Sequence, residues 1–132
     1  MNRQIGNDFV LKKDEIHVWH AQLGGLENSL DAFLEMLSKK ELKRAHSFKF
    51  EKDRNKYIAG HGILRILLGR YTNLEPGKIQ FSYGEFGKPG LAGLEEGEGL
   101  QFNYSQSGDA ALCAFTIDGS LGVDIEKIRH IP

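Results

Sequence analysis

The sequence predicts an α+β fold, an antiparallel or mixed β-sheet with helices packed on one face. Three observations carry this. Helical periodicity is concentrated in residues 26–71, alternating strand patterns dominate from residue 79 onward, and 132 residues make one domain-sized chain. Residues 1–14 read as a weakly structured lead-in, and residues 15–132 as a single domain.

The first element is a strand. Ile16, Val18 and His20 alternate with His17, Trp19 and Ala21, and Gly24-Gly25 ends the run. His17 and His20 have no further His or Cys at ligand spacing, so they are ordinary strand residues. Leu26, Leu30, Phe33, Leu34 and Leu37 then recur at helical spacing. Ser38 followed by Glu41 is a capping box that starts a second helix through Leu42, Ala45 and Phe48. Between Lys39 and Lys56 eight Lys and Arg stand against Glu41, Glu51 and Asp53. A solvated charged face is the usual fate of such a run, and a surface for a phosphorylated ligand is the sharper reading.

The strongest helix spans Asp53 to Tyr71, with Tyr57, Ile58, His61, Ile63, Leu64, Leu67 and Leu68 as its apolar stripe. Gly60 and Gly62 each weaken a helix by about 1 kcal/mol relative to Ala, which predicts close packing of another element or a ligand there. His61 reads as a packed core histidine. Strands follow at 79–83, 100–105 and 110–116, with a glycine-flanked loop presenting Lys88 and a polar loop over 105–109. Asp118-Gly119 is a hairpin signal leading into the last strand, so the C-terminal third is a β-meander.

That last strand, Leu121 to Ile128, sets Asp124 and Glu126 two residues apart and so on one face. Two carboxylates on a rigid strand suit Mg2+, which keeps waters and phosphates as its other ligands. On spacing alone, a solvated acidic edge is the commoner arrangement.

Composition narrows the function classes. A net charge of −1 argues against a general nucleic-acid binder, and no apolar run approaches a membrane span. Cys113 is the single cysteine, which fits a reducing compartment, and its apolar neighbours make it buried and inert rather than a nucleophile. The N-terminus lacks signal-peptide character, so a cytoplasmic location is expected.

Several segments read together resemble the Sfp-type 4′-phosphopantetheinyl transferases. They are Arg44-Ala45-His46-Ser47-Phe48 with Asp53-Arg54 and Tyr57; Gly60 to Leu64-Arg65; Phe86-Gly87-Lys88-Pro89; Phe102-Asn103-Tyr104-Ser105-Gln106-Ser107-Gly108; and Gly122-Val123-Asp124-Ile125-Glu126. The resemblance runs from the first strand to the end of the chain and covers one half of that family's pseudo-dimer. It implies a Mg2+-dependent transfer of 4′-phosphopantetheine from coenzyme A to a serine of an acyl or peptidyl carrier protein. Arg44, Lys88, Ser105 and Gln106 match the positions that bind coenzyme A, and Asp124 and Glu126 match the metal-binding acids. Gln106 departs from the family's usual Ser-His-Ser, because an amide donates a hydrogen bond but carries no charge.

The family's second half supplies a helix bearing a third metal ligand and the general base, and nothing after Glu126 matches it. No catalytic residue is therefore expected in this chain, and little or no transfer by it alone. The expectation is a truncated enzyme, or one completed by a second chain. A sheet ending after its last strand exposes a half-interface that would promote homodimerisation. The competing reading is a non-catalytic module that recognises nucleotides or carrier proteins.

Overall fold

The computed structural model describes residues 9–12, 14–83, 89–91 and 99–117. Its elements are β1 (Ile16–Gln22), α1 (Leu30–Met36), α2 (Lys39–His46), α3 (Glu51–Thr72), β2 (Phe81–Tyr83), β3 (Pro89–Leu91), β4 (Leu100–Ser107) and β5 (Ala110–Ile117). Short 3-10 turns at Glu27–Ser29 and Pro76–Lys78 precede α1 and follow α3. The class is α+β, as the sequence predicts.

β5 lies between β1 and β4 in a three-stranded sheet, and β2 pairs with β3 separately. The main sheet is antiparallel. Its β4–β5 hairpin closes over two residues, while β1 is tied to β5 at Leu23 with Asp109 and at Glu15 with Thr116. The middle strand is the most buried, with Ala111, Cys113, Ala114 and Phe115 at 1% exposure or less. β1 lies at the edge, and there Ile16 and Val18 are the exposed face while His17, Trp19 and Ala21 are half-buried.

The chain falls into two compact units. One takes its described residues from the stretches 9–19, 80–105 and 112–117; the other comprises His20–Ile79 and Gln106–Ala111. In the first, Phe102 is buried between Phe81 (ring centroids 5.8 Å) and Phe115 (6.5 Å), an aromatic core worth more than its area alone. Phe9 stacks on Trp19 at 5.2 Å.

The second unit is built on α3, which packs against α1, α2 and the Pro76–Lys78 turn. Gly62 explains the α1 contact. A Cβ there would stand 2.3 Å from Phe33 Cδ1, so only glycine admits the ring. The expected close packing at the α3 glycines is thus found at Gly62. Asn73 ends α3 with φ 64°, a left-handed cap.

Four expectations shift. The helix expected from Leu26 begins with a 3-10 turn and becomes α-helical only at Leu30. The strand expected from Ile79 starts at Phe81, because the preceding turn and the Ile79 carbonyl serve Arg65. The loop expected over 105–109 shrinks to Gly108-Asp109, since Gly108 takes φ 58° and closes a two-residue turn, leaving Ser105 to Ser107 in β4. Pro89–Leu91, expected within a loop, pairs as β3 with Phe81 opposite Leu91 and Tyr83 opposite Pro89. The Asp118-Gly119 turn and the Leu121–Ile128 strand lie outside the described residues.

Candidate functional site

Arg44 stands on the exposed face of the last turn of α2, beside Lys43 and His46. Basic groups there complement the helix dipole. Its guanidinium lies 4.8 Å over the Phe48 ring, and its Nη1 donates to Ser47 Oγ at 3.4 Å. Phe48 leans on Tyr57 (5.5 Å), and Tyr57 stacks on His61 (4.1 Å, 26°). A surface cation is thus backed by a row of rings that leads inward from α2 along α3, a setting that orients a guanidinium without neutralising it.

The row ends at a buried charge cluster. Glu41 and Arg65 are each 1% exposed. Arg65 meets Glu41 Oε1 through Nε at 2.8 Å and Nη2 at 2.7 Å, and its Nη1 donates to the carbonyls of Pro76 (2.8 Å) and Ile79 (2.9 Å). Glu41 Oε2 stands 2.8 Å from His61 Nδ1. A carboxylate only accepts, so Nδ1 carries the proton. The same Glu41 completes the capping box: Ser38 N–H donates to its Oε1 at 2.8 Å, and Ser38 Oγ accepts from its N–H at 3.2 Å.

Burial pushes the Glu41 carboxyl up. The hydrogen bonds from His61, Arg65 and the Ser38 N–H outweigh that and, with the Arg65 charge, hold it at about 2. The capping box was legible from Ser38 and Glu41. The cluster was not, because His61 and Arg65 lie 20 and 24 residues further on.

Ser105 and Gln106 are consecutive residues of β4, Ser105 half-buried and Gln106 exposed, and a strand points them to opposite faces. The turn that follows is anchored to α3. Lys56 Nζ meets Asp109 Oδ1 at 2.6 Å, and the Leu23 N–H donates to the Asp109 carbonyl at 2.6 Å.

Lys88, Asp124 and Glu126 lie outside the described residues. Of the sequence-predicted site, the structure therefore places Arg44, Ser105 and Gln106. Among the described residues, no group of three or more His, Cys, Asp or Glu side chains is set to hold a metal ion. Cys113 is fully buried and its thiol is pushed up to about 12 by that burial, as expected of an inert core cysteine. No helix among the described residues is long and apolar enough to cross a membrane.

Comparison with known proteins bears on this arrangement. The family described as 4′-phosphopantetheinyl transferase, N-terminal, matches residues 21–117. The transferase HetI of Nostoc sp. is 40% identical over 122 residues, 92% of this chain and 52% of its own length. Sfp of Bacillus subtilis is 30% identical over 101 residues, 76% of this chain and 43% of its own. The chain thus spans about half the length of these relatives. A crystal structure of Helicobacter pylori holo-[acyl-carrier-protein] synthase in complex with coenzyme A shares the fold, with TM-score 0.54 and 16% identity, covering 78% of this chain and 99% of that one. With the matched region running from the end of β1 to the end of β5, the chain belongs to the 4′-phosphopantetheinyl transferase family.

Proposed function

We propose that residues 15–132 are the coenzyme-A- and Mg2+-binding first half of an enzyme that moves 4′-phosphopantetheine from coenzyme A to a carrier-protein serine. The family match over 21–117 carries the reading. The H. pylori synthase, whose whole chain this fold covers, was crystallised with coenzyme A.

In this reading the serine oxygen bonds to the pantetheine-bearing phosphorus. The bond to the departing adenosine 3′,5′-bisphosphate breaks, and the serine proton passes to a base outside this half. Arg44 and Lys88 supply cations for the coenzyme A phosphates, and Ser105 and Gln106 supply uncharged donors. Asp124 and Glu126 are hard oxygen donors of the type Mg2+ takes, and the ion when bound would stabilise charge on the pyrophosphate. The partner is an acyl or peptidyl carrier protein, and the setting is cytoplasmic, with neither nucleic acid nor membrane involved.

Calorimetry with coenzyme A, with and without Mg2+, tests the site on the wild-type chain and on Asp124→Ala. Binding that strengthens with Mg2+ only in the wild type is expected, and metal dependence unchanged in the variant refutes the metal assignment. Transfer to apo-carrier protein when a second-half chain is added supports the enzyme. A persistent blank favours a binding module.

A further inference from the structure

Gln106 is the next-to-last residue of β4, three residues before Asp109, and Asp109 is held through both its carboxylate and its carbonyl. Its carboxylate takes the Lys56 ammonium from the second turn of α3, and its carbonyl takes the N–H of Leu23 at the end of β1. Lys56 is partly sheltered, its side chain 16% exposed against 53% for Asp109, and Leu23 is a core residue at 4% exposure. Gly108, the other turn residue, has φ 58° and brings no side chain to the packing. Of the two turn residues, only Asp109 can bring a side chain to the packing. The Lys56 hydrogen bond and charge keep the Asp109 carboxyl below its usual range.

We propose that Lys56 and Asp109 are positioning residues: their ion pair, with the Leu23 bond, clamps the Gly108-Asp109 turn and thereby sets where Gln106, and Ser105 before it, meet the ligand. This rests on the coenzyme A reading above. A two-residue turn has little slack, so freeing Asp109 lets the end of β4 shift by the fraction of an ångström that hydrogen-bond geometry does not forgive. Neither residue needs to touch the ligand. The same residues line a cleft of about 160 Å³ together with Leu23, Leu26 and Leu30 and with the polar side chains of Glu27, Lys52 and Asn55, and the Lys52 charge also favours the ionised Asp109.

The test uses Asp109→Ala, Lys56→Ala and the reversed pair Lys56→Asp with Asp109→Lys. Coenzyme A affinity is read by calorimetry and backbone opening by amide exchange at Leu23. Asp109→Ala keeps the carbonyl that Leu23 uses, so it isolates the side-chain tether. A partly sheltered pair is worth up to about a fivefold change, and each single variant should weaken coenzyme A binding and speed Leu23 exchange by about that factor. The reversed pair should return both to within about twofold of wild type, which a lysine in direct contact with phosphate would not allow. Failure of the reversal to restore affinity overturns the proposal, as does exchange that rises with affinity unchanged. If the wild-type chain binds no coenzyme A, the function reading falls instead, and unchanged Leu23 exchange in Asp109→Ala then overturns the clamp by itself.

Discussion

Glu41→Ala should be among the most damaging single substitutions in the second unit. It takes the Glu41 counter-charge away from the Arg65 guanidinium at 1% exposure, although two carbonyl acceptors remain. Removing one partner of a buried pair costs about 3–5 kcal/mol. The capping box goes with it, since Ser38 N–H loses its acceptor, and a lost cap costs about 1 kcal/mol. These terms share one side chain and do not simply add. With the remaining carbonyl contacts in mind, a net loss of about 4 kcal/mol is expected, against a typical total stability of about 5–15 kcal/mol.

Urea unfolding followed by circular dichroism reads that loss directly. A second reading comes from acid. The Glu41 carboxyl sits at about 2 in the folded chain against an ordinary value of 4.5. Its folded value is depressed, so the stability it confers is present in full above the unfolded value and is lost as pH falls from about 4.5 to about 2. At about 1.4 kcal/mol per unit, this one group accounts for about 3 kcal/mol of acid sensitivity. Glu41→Gln, which keeps an acceptor but cannot ionise, should be less stable at neutral pH and lack that share of the acid slope. A cost below about 1 kcal/mol for Glu41→Ala, or parallel acid curves for wild type and Glu41→Gln, would refute the reasoning.

Gly62→Ala should cost about 1–3 kcal/mol despite alanine's better helix propensity, because its Cβ would stand 2.3 Å from Phe33 Cδ1; Phe33→Leu in the same chain should recover part of the loss in urea unfolding. Cys113, fully buried with its thiol pushed up to about 12, should resist a thiol reagent at pH 8 in the folded chain and react at once in denaturant. Arg44→Ala should weaken coenzyme A binding about tenfold in calorimetry while shifting stability by less than about 0.5 kcal/mol, since Arg44 is exposed; Arg44→Lys should recover only part, lacking the planar fork.

Local signals were legible wherever a few neighbouring residues decide the outcome. Ser38 and Glu41 announce the α2 cap, the spacing of Ile58, Leu64, Leu67 and Leu68 announces α3, and Ala110 to Thr116 reads as a buried strand. Partners distant in sequence were not legible. Nothing near Glu41 marks Arg65 as its counter-charge, and nothing near Pro89 marks Phe81–Tyr83 as a strand to pair with. The β1 pattern shows why alternation alone is ambiguous: it separates two faces correctly, but the face carrying Ile16 and Val18 is the exposed one, and only the neighbouring elements decide that. At the candidate site, motif order supplied the residue names, while the hold on the Gly108-Asp109 turn comes from contacts that bridge more than fifty residues.

The buried cluster also restricts how the sequence can drift. A guanidinium shut away from water at position 65 demands a negative charge close by, and Glu41, which also caps the start of α2, supplies one. Substitution at 41 costs least when position 61 takes up the acid or position 65 turns apolar in company with it, so paired steps away from the present trio are favoured over single ones. Lineages of this domain should therefore carry Glu41, His61 and Arg65 as alternative matched sets, with an acid kept somewhere in the trio for as long as the buried arginine remains.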